Sequence, residues 1–295
     1  MNILIAGGNG FLGSYLKKRF VEDGHLVRIV SRSPGDITWN QSQLTEVLNT
    51  TDVLINLAGK SINCRFTPAN KEQILKSRTQ TTHILNKATA DCTNPPKVWI
   101  NASATGIYEH TFDECLSEYS SKLATDFLAT VVLNWENAFF KEEILGTRKI
   151  ALRTSVVLGI TGGAFPLLNK LSKLGLGGKQ GDGKQMVSWI FIEDYYRIVK
   201  FIIENQTISG VINASAPQPI SNTIFMKELQ VANRAFLSMP APGFLLQIAS
   251  LLLNFQPNLI LDSTNVFSQK LKDLSFEFKA PDIHKVIKIL NCNEK

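Results

Sequence analysis

Asn2-Ile3-Leu4-Ile5-Ala6-Gly7-Gly8-Asn9-Gly10-Phe11-Leu12-Gly13 opens the chain and decides how the rest is read. Asn2–Ala6 is an apolar run that ends in glycine, the mark of a strand buried on both faces of a parallel sheet. Phe11, Leu12, Tyr15, Leu16 and Phe20 then recur at helical spacing through Phe11–Asp23, and Gly24 stops the helix. Gly7, Gly10 and Gly13 give the spacing GxxGxxG between strand and helix. The first glycine permits the tight turn, the second lets backbone approach a pyrophosphate, and the third lets the helix pack close to the strand. The unpaired N–H groups and positive end of that helix then face the phosphate.

Outward from this unit, apolar runs and helical patterns alternate. Leu26–Ser31 reads as a second strand with Pro34-Gly35 as a turn behind it. Gln43–Asn49 reads as a short helix, Asp52–Leu57 as a strand ending at Ala58-Gly59, and Pro68–Ala90 as a long helix. Pro95-Pro96 breaks the chain before the strand Val98–Ser103; a helix over Ser121–Glu143 and a strand over Lys149–Leu158 follow. This order predicts an α/β fold, a doubly wound parallel sheet of Rossmann type, because right-handed crossovers place helices on both faces. Beyond Leu158 the pattern loosens. Gly162-Gly163 and Gly175–Gly183 read as loop, Ser188–Ile192 and Val211–Ala214 as strands around a helix at Glu193–Asn205, and Ser221–Lys295 as helices mixed with short strands. The expected division is 1–215 for the dinucleotide-binding domain, with a substrate-lobe loop at about 160–190, and 216–295 for a smaller C-terminal α+β lobe over the carboxyl edge of the sheet.

The 295 residues are 44% apolar, enough for a large core and too many for a disordered chain. The net charge of +6 is spread without a run of five Lys or Arg, so no nucleic-acid partner is expected, while a mild positive field suits an anionic ligand. Cys64, Cys92, Cys115 and Cys292 lie far apart with no CxxC or Cys/His spacing; neither a metal site nor a disulfide framework is expected. The N-terminus lacks the basic segment of a signal peptide. The greasiest later stretch, Phe244–Phe255, is shorter than the roughly 20 residues of a membrane span and reads as a buried helix. The expectation is a cytoplasmic protein with a small-molecule substrate and no membrane partner. A homodimer could pack Pro68–Ala90 and Ser121–Glu143 between subunits, though nothing in the sequence demands it.

The end of the second strand bears on the dinucleotide. An NAD-selective fold places Asp or Glu there for the ribose 2′-OH. Here the stretch is Val30-Ser31-Arg32-Ser33, and the nearest acid, Asp36, lies beyond Pro34-Gly35. Arg32 offers a planar donor fork for a 2′-phosphate and Ser31 a hydroxyl, which predicts NADP(H) over NAD(H). Asn56-Leu57-Ala58-Gly59 supplies a small-residue turn that lets backbone pass the adenine-ribose side of the cofactor.

With these stretches and Ala102-Ser103-Ala104 in place, the chain resembles extended short-chain dehydrogenases of the epimerase/dehydratase superfamily. Ser77-Arg78, Ser103-Ala104-Thr105-Gly106-Ile107-Tyr108, Asp126-Phe127-Leu128-Ala129 before Trp135-Glu136, Leu152-Arg153-Thr154, Val157-Leu158-Gly159, Leu174–Gly178, Ser188-Trp189-Ile190 and Asn213-Ala214 narrow the likeness to the YfcH-like epimerase-family proteins, across essentially the whole chain. The resemblance implies an NADP(H)-binding protein of unassigned substrate, with a small C-terminal domain. It implies cofactor contacts from Ser31, Arg32, Ala58, Gly59, Arg78 and the residues around Val156, beside Gly7, Gly10, Phe11, Leu12, Gly13 and Leu57 of the two turns. Arg78 is either a guanidinium near phosphate or ribose, or a helix-surface charge.

Short-chain dehydrogenases use a tyrosine as acid/base with a lysine four residues on, and a serine at a strand end that orients substrate. Ser103 fits the serine position. The pair is missing: Tyr119-Ser-Ser-Lys122 is one residue short, and Phe127 and Val131 carry no titratable group. Tyr196 and Lys200 have the spacing but sit far along the chain, reading as a buried Tyr and an exposed Lys. Tyr108 is the remaining acid/base candidate, with Asp113, Glu114 and Glu118 in the following loop; His25, His83, His110 and His284 match no motif. Two readings follow: an NADP(H)-dependent oxidoreductase or epimerase acting on a small polar or nucleotide-linked substrate, with Ser103 and Tyr108 polarising the reacting oxygen, or a catalytically impaired NADPH-binding or sensing protein.

Overall fold

The computed structural model describes residues 1–32, 35–253 and 256–292. β1 (Asn2–Ala6) runs through the glycine turn into α1 (Phe11–Glu22), followed by β2 (Leu26–Val30), α2 (Gln41–Leu48), β3 (Val53–Asn56), α3 (Pro68–Ala90), β4 (Val98–Ala104), α4 (Phe127–Phe140) and β5 (Arg148–Thr154). Then come β6 (Val156–Leu158), α5 (Phe165–Lys173), β7 (Met186–Val187), β8 (Trp189–Phe191), α6 (Ile192–Glu204), β9 (Gly210–Ala214), β10 (Ile220–Ser221), α7 (Asn222–Ala232), α8 (Gly243–Leu253), α9 (Asn258–Leu261), α10 (Gln269–Asp273) and α11 (Ile283–Cys292).

The main sheet has six parallel strands in the order β2-β1-β3-β4-β5-β9, the expected Rossmann architecture. Alternation along β1 sends Ile3 and Ile5 into one apolar cluster with Leu16, Phe20, Ile198, Phe225 and Val286, and Leu4 and Ala6 into another with Leu44, Leu85, Trp99 and Phe139. Helices α1, α6, α7 and α11 thus cover one face and α2, α3 and α4 the other. Chain direction across the sheet reverses between β1 and β3, and such a switch point opens a crevice at the carboxyl ends of the strands. The register Ala6↔Val30 and Ala6↔Asn56 brings β1, β2 and β3 to an end at one level, so Gly7, Ser31 and Leu57 leave the sheet side by side.

Several boundaries differ from expectation for local reasons. The strand read over 149–158 breaks at Ser155, whose N–H donates to Ala214 O, whereas the Val156 N–H donates to Ser188 O and starts a second small sheet with β8. The helix read from Ser121 starts at Phe127, because Asp126 caps it by accepting from the Ala129 N–H at 2.9 Å. Residues 122–124 instead lie extended beside 107–109. The loop expected at 160–190 contains α5, whose first turn carries Pro166. The stretch read as a buried helix is a helix, α8, but Phe244, Leu245, Ile248 and Leu251 are 45–63% exposed, so only a narrow seam of it is buried. The expected turn residue Pro34 and the end of that stretch at Asn254 and Phe255 lie outside the described residues. No helix among the described residues is long and apolar enough to cross a membrane.

Candidate functional site

The crevice is built first by glycines. Gly7 has φ +78°, and a Cβ there would lie 2.8 Å from the backbone of Ala58, so the turns after β1 and β3 meet backbone to backbone. A Cβ on Gly13 would lie 2.5 Å from Gly8 Cα. Gly10 differs: it caps α1 without a side chain, and a Cβ there would meet only Gly7 O at 3.5 Å. The first-turn amides of α1 have no intrahelical acceptor and point toward this open side. The Phe11 ring packs where Gly159, Gly162 and Gly163 leave room, and a Cβ on any of them would come within 3.1 Å of it. Leu12 is half-buried against the core. Phe11 and Leu12 therefore anchor the loop with their side chains and leave their amides to the crevice.

At the end of β2, Asn9 Nδ2 donates to Ser31 Oγ at 3.0 Å, and Arg32 is exposed. Asp36 turns away from this point: its carboxylate accepts from the Ile29 N–H at 2.8 Å. Gly59 backs onto Arg78, where a Cβ would lie 3.2 Å from the guanidinium carbon. Arg78 Nη1 donates to Lys60 O and Ile74 O at 3.0 Å each, and the guanidinium lies 5.1 Å from the Trp135 ring. Burial pulls its pKa down to about 10, still far above neutrality. This is a desolvated cation whose hydrogen bonds among the described residues go to carbonyls, the condition under which a bound anion is most favourable. Val156, 37% exposed, stands on β6 beside the β5 terminus.

Beneath the crevice lies a buried charged network. Arg153 on β5 donates to both oxygens of Glu136 on α4, Nε to Oε1 at 2.8 Å and Nη2 to Oε2 at 2.7 Å. Ser103 Oγ donates to Glu136 Oε1 at 2.5 Å. Arg153 Nη1 donates to the Tyr108 hydroxyl at 2.8 Å, and that hydroxyl donates to Asn213 Oδ1 at 2.9 Å. Ser103 and Tyr108, read from sequence as the groups that polarise a reacting oxygen, are 4% and 2% exposed, with their hydroxyls bonded inside this network. Burial raises the Tyr108 pKa, with Arg153 and Asn213 offsetting only part of the effect, so it is a weaker acid here than in water. Tyr196 and Lys200, the correctly spaced pair, both bond Asp23 on the α1–α6 side, at 2.5 and 2.6 Å. The first turn of α4, where such a pair would be needed, carries Phe127, stacked edge to face on Phe66 at 5.2 Å.

The loop between β4 and α4 is pinned by Glu118, expected from sequence as a candidate acid, and by His110, which matched no motif. Glu118 accepts from the Asn213 N–H, the Ser268 hydroxyl and the Gln269 N–H. His110 Nδ1 lies 2.9 Å from Ser263 O and Nε2 2.9 Å from Asp126 Oδ2, with Asp262 at 3.9 Å. Only the imidazolium donates from both nitrogens. Burial opposes that charge, but Asp126, the Ser263 carbonyl and Asp262 outweigh it, and the pKa rises above the ordinary 6.5. A folded value above the unfolded one gives a contribution that is full below 6.5 and lost as pH rises through the folded value. Stability should therefore fall as pH rises above about 6.5 more steeply than in His110→Asn, measured by urea denaturation. Equal slopes would contradict the assignment.

A Rossmann sheet with a glycine turn at its switch point, closed by C-terminal segments, is the dinucleotide-binding fold of the extended short-chain dehydrogenases. The chain belongs to the NAD-dependent epimerase/dehydratase family, whose model matches residues 3–215. It is 33% identical over 289 residues to the epimerase family protein SSP1921 of Staphylococcus saprophyticus, covering 95% of this chain and 96% of that one. Among solved structures it is similar to the human epimerase family protein SDR39U1 (isoform 2) with NADPH, at 30% identity and TM-score 0.91, covering 99% of this chain and 100% of that one. It is also similar to a nucleoside-diphosphate sugar epimerase from Corynebacterium glutamicum, at 33% identity and TM-score 0.80, covering 98% of this chain and 58% of that one.

Proposed function

We propose that the protein binds NADP(H) across the β1–β3 switch point and acts as an oxidoreductase or epimerase-like protein on a small molecule. The observation that supports the NADP(H) reading is the end of β2: Asp36, the nearest acid in the sequence, is turned onto the Ile29 N–H, and Ser31 and Arg32 stand at that strand end. The residues present fit such a cofactor. Gly10 leaves free the space a Cβ would take over the α1 N-terminus, and Arg78 offers a desolvated cation beside Gly59. Gly7, Gly10, Gly13 and the amides of Phe11 and Leu12 would hold the pyrophosphate, Ser31 and Arg32 the 2′-phosphate, Leu57, Ala58 and Gly59 the adenosine side, and Val156 the nicotinamide side. The NADPH carried by the human relative supports this reading. Bound NADP(H) supplies or accepts hydride. Glu136 and Arg153, through Ser103 and Tyr108, hold the ends of β4 and β5 in place beneath it. Arg32→Ala should weaken NADPH roughly ten- to hundredfold, the worth of a charge-assisted hydrogen bond pair, and leave NADH unchanged. Equal losses for both, or none, would sink the assignment.

A second reading, an NADPH-binding sensor without turnover, is favoured by one observation: the Ser103 and Tyr108 hydroxyls are bonded inside the protein. Oxidation of NADPH with any member of a broad carbonyl panel supports the first reading; NADPH bound but never oxidised supports the second.

A further inference from the structure

Helices α3 and α4 each follow a strand of the parallel sheet, β3 and β4, so both begin at its carboxyl edge, where the crevice opens. The start of α4 stands beside the end of β4: a Cβ on Gly106 would lie 4.0 Å from Leu128 Cβ. Around the start of α3 the chain gathers cations. Lys60 follows Gly59 directly, and its Nζ donates to Asn70 Oδ1 at 2.8 Å and to Gln73 Oε1. Lys71 Nζ lies 5.1 Å from the centre of the Phe127 ring, which also meets Phe66. Lys71 and Arg78, two helical turns apart on α3, thus face α4 together, over Phe127 and Trp135. Arg65 is exposed, and its guanidinium has no partner among the described residues.

Among the described residues, Lys60, Lys71 and Arg78 have only neutral partners. The acids nearest to them in sequence are engaged elsewhere: Glu72 pairs with Lys76, and Asp126 with His110. Like charges therefore gather within one loop and the first turns of one helix. They gather at the positive end of that 23-residue helix, whose first turn holds no acid, so the macrodipole opposes them too. Local electrostatic rules are broken in this way where a ligand restores the balance, and the ligand that restores this one is an anion.

Resting on the NADP(H) reading, which takes Arg78, we infer that Lys60, Arg65 and Lys71 hold an acid group of the substrate, so that the protein acts on a small carbonyl compound or alcohol that also bears a carboxylate or a phosphate monoester. Arg65 and Lys71 supply the direct donors. Lys60, tied to α3 by two amide oxygens, supplies fixed positive charge behind them. The Phe66 and Phe127 rings supply apolar surface beside them for the carbon skeleton.

The test uses the full chain saturated with NADP+, which has no hydride to give a ketone. The probes are two matched pairs, levulinate against butanone and dihydroxyacetone phosphate against dihydroxyacetone, and binding is read by calorimetry. In one pair the acid-bearing member should bind at least about tenfold tighter than its neutral counterpart, and that pair tells carboxylate from phosphate. Arg65→Gln and Lys71→Gln, both at exposed positions, should each remove most of this preference and leave the neutral ketone and NADP+ unchanged, whereas Lys71→Arg should keep it. Three results would overturn the inference: no preference for the acid in either pair, a preference that survives both Gln variants, or a loss of NADP+ affinity in them as large as the loss for the acid, which would assign the cations to the cofactor. The NADP+ titration is separate: no NADP+ binding by the unaltered protein defeats the cofactor reading, whereas NADP+ binding without a preference for acids defeats only this one.

Discussion

Glu136→Ala is expected to lower stability by about 3–5 kcal/mol, the cost of leaving a buried charge without its partner. Arg153 is 9% exposed, and two of its three donor nitrogens bond Glu136. Removing the carboxylate also strips Ser103 of its acceptor. Arg153→Ala should cost a similar amount, because it strands Glu136 and removes a donor to Tyr108. The double variant should cost clearly less than the sum, since each single change already forfeits the shared interaction. Urea denaturation of the four proteins reads these differences directly. Additive losses below about 1 kcal/mol would mean the network is solvated and does not fix the sheet edge.

The second large effect separates binding from folding at two glycines. Gly13→Ala places a methyl group 2.5 Å from Gly8 Cα, and both partners are backbone, so α1 must lift off its own glycine turn. Overpacking of this kind costs about 1–3 kcal/mol, and the phosphate-facing amides move with the helix. Both stability and NADPH affinity should fall. Gly10→Ala places its methyl group in open space, with Gly7 O at 3.5 Å as its nearest neighbour. Stability should stay within about 0.5 kcal/mol, while NADPH weakens at least about a hundredfold, because the methyl group stands where pyrophosphate would approach the helix. Loss of folding in Gly10→Ala, or retained affinity in it, would break this account of the loop.

How much of this was legible in the sequence depends on whether the deciding interaction is local. The glycine turn is local: Gly7 makes the tight turn and Gly13 the close packing that their spacing predicts. The Pro68–Ala90 helix appears with the boundaries read from sequence, because Thr67 caps it and Pro68 starts it. The late start of α4 is also set by one cap, Asp126, but its signal is outweighed by the polar, turn-compatible residues that precede it. The fate of Ser103 and Tyr108 was not legible, because it turns on Glu136 and Arg153, 17 residues apart and meeting across two elements. A signal existed: a lone charged residue, Glu136, in the largely apolar stretch Phe127–Phe140 and a lone arginine after Ile150-Ala151-Leu152 cannot both be buried unless paired. The exposed face of α8 was misread for the opposite reason. Hydropathy alone says that such a run leaves water, and only the tertiary structure shows that Phe244, Leu245, Ile248 and Leu251 stay exposed instead of entering the core.

The central claim is that the crevice after β1 and β3 is an NADP(H) site selected by Ser31 and Arg32. Trp135, 5.1 Å from the Arg78 guanidinium, is a built-in reporter for it. Titration of the purified protein with NADPH and with NADH, following tryptophan quenching, tests the claim most directly. The account predicts tight, saturable quenching by NADPH and at least about tenfold weaker binding of NADH. Equal affinity for the two would contradict the selection by Ser31 and Arg32, and binding of neither would contradict the site itself.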